Sequence, residues 1–162
     1  RGSCFWVEIP YGETRPTVHH SAAPIRSTLQ SFAGRQVLVL DNDPSICNAM
    51  ATLLSGWGCR VLTALSQEDA VEQIEGLSQA PDLLIADYHL DDDQNGIDAA
   101  ALLTSRFKSD MPVLMITANY SNELKQQVRA LGYRLLNKPV RPAKLKAVVQ
   151  HLLDTGKVID AG

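Results

Sequence analysis

The chain has 162 residues, of which 45% are hydrophobic and 20% are charged, and its formal net charge is −3. This composition is typical of one globular domain with a buried core, and it excludes a disordered or fibrous protein. The negative net charge does not predict the basic surface that direct nucleic-acid binding requires. Because the sequence has neither an apolar run of about 18 residues nor a signal-peptide pattern, we expect a cytoplasmic segment without membrane contact.

The N-terminal part has a different character from the rest of the chain. Residues 1–12 contain one strand-like run, Cys4–Ile9. Residues 13–34 are rich in Ser, Thr, Pro and Ala without periodicity, which is typical of a linker. We therefore predict that the folded domain covers residues 35–155 and that residues 156–162 form a C-terminal tail.

From there, short apolar runs alternate with segments of helical periodicity. Each apolar run predicts a strand, and each periodic segment predicts a helix after it. Helix boundaries are indicated by Asp43 before Pro44, by Ser66 with Asp69, and by Gly132 after the fourth helix. The predicted strands are Val37–Leu40, Arg60–Ala64, the run that ends at Asp87, Val113–Ile116 and Tyr133–Leu136.

Five strand–helix pairs in about 120 residues imply right-handed crossovers and a parallel sheet with helices on both faces. We predict an α/β fold, a flavodoxin-like (βα)5 doubly wound parallel sheet with strand order 2-1-3-4-5. In that order strands one, three, four and five are neighbours, so the polar residues at their carboxyl ends should converge on one cleft. These residues are Asp41, Asp87, Thr117 and Lys138.

The predicted cluster has the chemistry of phosphoryl transfer. Oxygens of Asp41, Asn42 and Asp87 are hard ligands suited to Mg²⁺, which keeps several waters. A carboxylate can act as the nucleophile and form an aspartyl phosphate, and we assign that role to Asp87. Thr117 would donate a hydrogen bond to a transferring oxygen, and Lys138 would neutralise its charge.

Four segments together resemble the receiver domain of two-component response regulators, and the resemblance covers about Gly34 to Asp154. It implies that Asp87 is the phosphoacceptor of a phosphorelay. The segments are Val-Leu-Val-Leu-Asp-Asn-Asp-Pro at 37–44, Pro-Asp-Leu-Leu-Ile-Ala-Asp-Tyr-His-Leu at 81–90, Met-Ile-Thr-Ala at 115–118 and Leu-Asn-Lys-Pro at 136–139.

The resemblance also implies roles for further residues. The backbone carbonyl of His89 would be another Mg²⁺ ligand, beside Asp41 and Asn42. Thr117, followed by Ala118, would be the switch hydroxyl, and Lys138 would be the phosphate partner. Pro139 is similar to the family's cis-proline after that lysine, a geometry that is rare in proteins.

The first ten residues, Arg-Gly-Ser-Cys-Phe-Trp-Val-Glu-Ile-Pro, resemble the last strand of a histidine-kinase ATP-binding domain. Residues 1–12 would then be a remnant of that domain, and residues 35–155 the C-terminal receiver of a hybrid sensor histidine kinase. This implies a phosphohistidine donor on a histidine-kinase core, and a histidine phosphotransfer protein as a further partner. The segment by itself would not be a kinase, but it would promote its own phosphorylation.

The sequence departs from the family pattern at two positions that matter for function. Asn42 stands where the family has a second acidic residue, so the site loses one negative charge, although an amide oxygen can still bind Mg²⁺. Leu135 stands where the family has its switch aromatic, so we expect any switch to use other packing. The loop at Asp91–Asp93 is also longer than the pattern.

Two alternatives stay open at this point. The first is a receiver that docks to partners without phosphorylation, which Asn42 and Leu135 favour. The second is a haloacid-dehalogenase-type phosphohydrolase with Asp41 as nucleophile, since Asp41-Asn42-Asp43 is also a DxD pattern. Against the second, the acidic pair expected beyond Lys138 is missing from the sequence.

Overall fold

The computed structural model describes residues 32–90, 95–107, 110–119 and 121–155. Several predictions concern residues outside these ranges: the strand at Cys4–Ile9, the remnant at 1–12, most of the linker, the acidic residues Asp91–Asp93 and the tail at 156–162. They stay predictions.

Strands and helices alternate along the described chain, as predicted. None of the helices in this part of the chain is long and apolar enough to cross a bilayer. The strands are β1 (Gln36–Leu40), β2 (Arg60–Ala64), β3 (Leu83–Asp87), β4 (Val113–Thr117) and β5 (Arg134–Asn137). The helices are α1 (Pro44–Gly56), α2 (Gln67–Glu75), α3 (Gly96–Phe107), α4 (Asn122–Ala130) and α5 (Pro142–Thr155).

The five strands form one parallel sheet in the order β2-β1-β3-β4-β5, which confirms the predicted fold. The carboxyl ends of neighbouring strands lie close to the same level. Asp87 pairs with Ile116 across β3 and β4, and Thr117 pairs with Asn137 across β4 and β5. The polar residues that end these strands are therefore brought to one edge of the sheet.

Three helices begin at side chains that accept hydrogen bonds from the first-turn backbone. Asp43 accepts from the Ser45 N–H at 2.7 Å, and Ser66 accepts from the Asp69 N–H at 3.1 Å. Ser121 opens α4 in the same way. Such caps satisfy backbone donors that have no partner inside the helix. The predicted starts of α1 and α2 are confirmed.

The helices cover the sheet on both faces and create two apolar cores. α1 and α5 pack on one face, and α2, α3 and α4 pack on the other. All five residues of β3 are buried, because the strand lies in the middle of the sheet and has helices above and below it. The alternation of side chains along a strand decides which residues face each core.

Phe32, which falls near the end of the predicted linker, packs against the folded domain. Its side chain is fully buried, and its ring centroid lies 5.6 Å from that of Trp57. The ammonium of Lys146 lies over both rings. Gly34 then joins the turn after α1 through its N–H, 3.0 Å from the Gly58 carbonyl. A single aromatic residue in a linker-like segment has no periodicity, so composition could not reveal this anchor.

We predict that Phe32→Ala lowers the free energy of unfolding by about 3 kcal/mol, because it empties a fully buried aromatic site. Urea denaturation followed by tryptophan fluorescence measures the change. The matched control is Leu65→Ala, which removes a side chain from a residue that is 45% exposed and should cost less than about 0.5 kcal/mol. Equal costs for the two variants would contradict the anchoring role.

Candidate functional site

The candidate site lies at the carboxyl edge of the sheet. Asp41 directly follows β1, Asp87 ends β3, Thr117 ends β4 and Lys138 directly follows β5. In the described part of the chain, the buried polar or charged residues are Asp41, Asp87 and Thr117. Burial of polar side chains is therefore concentrated at the place where the sequence predicted a cleft.

Lys138 joins the two carboxylates. Its ammonium nitrogen lies 2.7 Å from Asp87 Oδ2 and 3.8 Å from Asp41 Oδ2. The backbone N–H of Lys138 donates to the Thr117 carbonyl at 2.8 Å, which fixes the start of the side chain beside β4. The cluster contains two carboxyl groups and one ammonium, so its acidic groups outnumber its basic group and it can bind a further cation.

Burial raises the pKa of Asp41 above its ordinary value, since desolvation disfavours the carboxylate. The Asp43 N–H, which donates to Asp41 Oδ1 at 2.9 Å, opposes this shift, and the charge of Asp87 adds to it. Burial lowers the pKa of Lys138, but its hydrogen bond and charge interaction with Asp87 outweigh burial and raise the pKa overall. Lys138 therefore carries its positive charge at neutral pH.

One oxygen of Asp87 is buried without any hydrogen-bond partner: Oδ1, whose sister atom Oδ2 pairs with Lys138. A buried carboxylate oxygen without a partner is costly, so it calls for a cation or another ligand. Mg²⁺ fits this donor set because it prefers oxygen and needs few protein ligands. The described residues contain no group of three or more His, Cys, Asp or Glu placed to hold a metal, so a site here would also use amide, carbonyl and water oxygens.

The other predicted site residues surround this cluster. Asn42 lies between Asp41 and the exposed Asp43, and it is partly buried. His89 is exposed at the start of the loop after β3, where it bridges to Asn95. The remaining three are the exposed Ala118 in the loop after β4, the half-buried Leu135 in the core of the α2–α4 face, and Pro139, whose peptide bond with Lys138 is cis.

Thr117 starts a hydrogen-bonded loop between β4 and α4. Its Oγ1 accepts from the Asn119 N–H at 2.9 Å, and Asn119 Oδ1 accepts from the Ser121 N–H at 2.9 Å. Ser121 in turn caps α4 by accepting from the Leu124 N–H. The Thr117 hydroxyl acts as an acceptor in this arrangement, and its own O–H is a further donor.

Gly96, the first residue of α3, supports the site and was missed by the sequence reasoning. A Cβ at this position would lie 2.1 Å from the Asp87 carbonyl oxygen and 3.0 Å from Met115 Sδ. The Gly96 N–H also donates to the Tyr88 carbonyl at 2.9 Å. The sequence places an Asn-Gly pair after the acidic loop, which indicates a turn, but the close approach to Asp87 depends on the tertiary structure.

An apolar cavity of about 370 Å³ opens beside the carboxylates on the face covered by α1 and α5. Ile46 and Met50 of α1 line it on one side, and Val140 lines it after β5. Asp87 and Lys138 lie in its wall. The cluster of charges therefore borders a groove that could accept apolar side chains.

The comparisons with known proteins identify the family of this domain. The sequence profile of the response regulator receiver domain matches residues 37–150. The phyllosphere-induced regulator PhyR of Methylorubrum extorquens is 30% identical over 118 residues, which are 73% of this chain and 43% of PhyR. The transcriptional regulatory protein ZraR of Escherichia coli is 32% identical over 128 residues, which are 77% of this chain and 28% of ZraR.

A solved structure with the same fold is the chemotaxis protein CheY4 of Vibrio cholerae. It superposes with a TM-score of 0.65 at 28% identity, and the match covers 74% of this chain and 99% of CheY4. The chain thus spans less than half the length of PhyR and ZraR, while it spans nearly all of CheY4.

We predict that Gly96→Ala lowers the free energy of unfolding by about 3 kcal/mol, because its methyl group would overlap the Asp87 carbonyl. The matched control is Gly76→Ala at the end of α2, where φ is −85° and a Cβ would meet nothing within 4 Å. That variant should be neutral within about 0.5 kcal/mol. Chemical denaturation compares the two, and similar costs would refute the close approach.

A second prediction concerns the pH dependence of stability in Mg²⁺-free buffer. The pKa of Asp41 is raised above its ordinary value of 3.8, so the folded state holds this proton more tightly than the unfolded state. Its contribution is therefore fully present below that value and is lost as pH rises through the folded-state pKa.

We expect Asp41→Asn to be more stable than the wild type at pH 7, with the advantage shrinking as the pH approaches 4. Urea midpoints across this pH range measure it. Asp110→Asn, which changes an exposed carboxylate, is the control and should show no such trend. An advantage that does not vary with pH would contradict the assignment.

Proposed function

The chain belongs to the receiver-domain family of response regulators, and from this premise we propose that it accepts a phosphoryl group from a phosphohistidine onto Asp87. One observation carries the proposal: Asp87 Oδ1 is buried without a partner, next to Oδ2 paired with Lys138. A carboxylate held in this way has one oxygen fixed by Lys138 and one oxygen that no protein group occupies.

The hydrogen bonds of the two carboxylates favour Asp87 over Asp41 as the nucleophile. Asp41 Oδ1 already accepts the Asp43 N–H, and its Oδ2 lies 3.8 Å from the Lys138 ammonium. These contacts speak against the phosphohydrolase alternative, in which Asp41 would attack the phosphate.

In the proposed reaction, Asp87 Oδ1 attacks the phosphorus atom in line with the bond to the donor imidazole nitrogen. The new O–P bond forms as the P–N bond breaks, and the bonding electrons return to the imidazole. Lys138 neutralises charge on the transferring oxygens, and the Thr117 O–H donates to one of them. Mg²⁺ held by Asp41, Asn42, Asp87 and the His89 carbonyl would supply further neutralisation of charge on these oxygens.

The proposed partner is a histidine-kinase core that carries the phosphohistidine, in the cytoplasm, with a histidine phosphotransfer protein as the acceptor in a relay. The apolar groove beside Asp87 supports a protein donor. Its lining from α1 and Val140 can bury apolar side chains of a protein, whereas a small polar phosphodonor has no apolar surface to place there. Membership of a hybrid sensor kinase remains a prediction that rests on residues 1–12.

We expect acetyl phosphate with Mg²⁺ to add one phosphoryl group to the wild-type protein, detected as a gain in intact mass. Asp87→Asn should abolish the gain. Asp110→Asn is the matched control, since it alters an exposed carboxylate far from the cluster, and it should behave as the wild type. Lys138→Met should reduce the rate of labelling at least tenfold, because it removes the ammonium that neutralises the phosphoryl oxygens.

Other outcomes would favour the alternatives. Retention of the label after Asp87→Asn would refute the assignment. A wild type that neither takes phosphate from acetyl phosphate or a phosphorylated kinase core, nor changes its fluorescence with millimolar Mg²⁺, would be a docking receiver. Turnover of a generic phosphomonoester that is lost in Asp41→Asn and kept in Asp87→Asn would instead identify a phosphohydrolase.

A further inference from the structure

Asn137 contains a buried polar atom that the proposed phosphoryl transfer does not use. Within the described residues, two buried side-chain atoms lack a hydrogen-bond partner, Asp87 Oδ1 and Asn137 Oδ1. The first is the atom that attacks phosphorus in the proposed function. An apolar residue in the place of the second would avoid the cost of an unpaired acceptor, so the amide needs a reason of its own.

The sheet places Asn137 directly beside Thr117. The two residues are register partners at the ends of β4 and β5, so their side chains leave the sheet on the same face. Leu136 lies in the core between the sheet and the helices α1 and α5. Because side chains alternate along a strand, Asn137 faces the opposite side, which is covered by α2, α3 and α4.

To donate its O–H to a phosphoryl group on Asp87, Thr117 has to turn, because its side chain leaves β4 toward α2, α3 and α4, whereas Asp87 lines the groove on the other face. Its Oγ1 now accepts from the Asn119 N–H at 2.9 Å. Because side chains occupy discrete staggered rotamers, turning the hydroxyl toward Asp87 moves Oγ1 away from that N–H. The N–H of the partly buried Asn119 then loses its partner, and another acceptor nearby would restore a hydrogen bond to it.

We propose that Asn137 is a positioning residue whose Oδ1 accepts the Asn119 N–H when Thr117 turns to the phosphoryl group. The inference rests on the proposed function of Asp87. The loop would then have two hydrogen-bonded arrangements: one in which Asn137 Oδ1 is unpaired, and one in which both Asn119 and Thr117 are satisfied by new partners. The neighbouring Leu135, which stands where the family has an aromatic, offers no polar group for this task.

The test uses Asn137→Val, which removes the amide and suits a strand, with Leu135→Val as the control for repacking of β5. Beryllofluoride with Mg²⁺ replaces the phosphoryl group, and fluorine NMR counts the adduct on the protein. Amide NMR then follows the Asn119 resonance. In the wild type and in Leu135→Val this resonance should move when the adduct forms, and in Asn137→Val the displacement should fall by at least half although the adduct still forms.

Stability gives an independent readout in the absence of phosphate. Removing an unpaired acceptor should raise the urea midpoint of Asn137→Val above that of the wild type, whereas a purely structural amide would make the variant less stable. Asn137→Ala removes the same amide without a branched side chain, and it should show the same loss of the Asn119 displacement.

The outcomes separate this inference from the proposed function. An adduct in all variants with equal displacement of Asn119 overturns the role of Asn137 and leaves the role of Asp87 intact. A lower urea midpoint for Asn137→Val also overturns it, because the amide would then already be paired. Failure of the wild type to form any adduct overturns both.

Discussion

The arrangement of the candidate site depends on the ion pair between Lys138 and Asp87. It joins the end of β3 to the residue after β5, across the intervening strand β4. The same pair leaves a net negative cluster, since Asp41 is buried 3.8 Å from the one ammonium. Two buried carboxylates with one cation are poorly compensated, so the resting domain retains an affinity for positive charge at this edge.

The sequence was sufficient to predict the convergence of this cluster because the argument needs only strand order. In a parallel sheet every strand ends at the same edge, so Asp41, Asp87 and Lys138 had to meet once β1, β3 and β5 were placed on one side of β2. Local signals were equally readable, as at Ser66, whose hydroxyl caps α2. These features depend on residues adjacent in sequence or on topology.

What the sequence could not reveal depends on close approaches between distant segments. Gly96 and Gly76 both stand at helix ends, yet a Cβ would collide with the Asp87 backbone at the first and meet nothing at the second. Phe32 stands in a segment of linker-like composition, and its contact with Trp57 forms only in the folded chain. Asn137 is part of the Leu-Asn-Lys-Pro segment, but its unpaired buried oxygen has no signature in a sequence.

The sheet also divides the candidate site into two halves. The groove on the face covered by α1 and α5 is lined by Asp41, Asp87 and Lys138. Thr117 and Asn137 leave their strands toward the other face, which is covered by α2, α3 and α4. Thr117 is the residue that touches both halves, through its carbonyl to Lys138 and its hydroxyl to the loop before α4. Under the proposed function, a change of charge at Asp87 would reach α4 through rotation of the Thr117 hydroxyl at the end of β4, with Asn137 as the second acceptor for the loop.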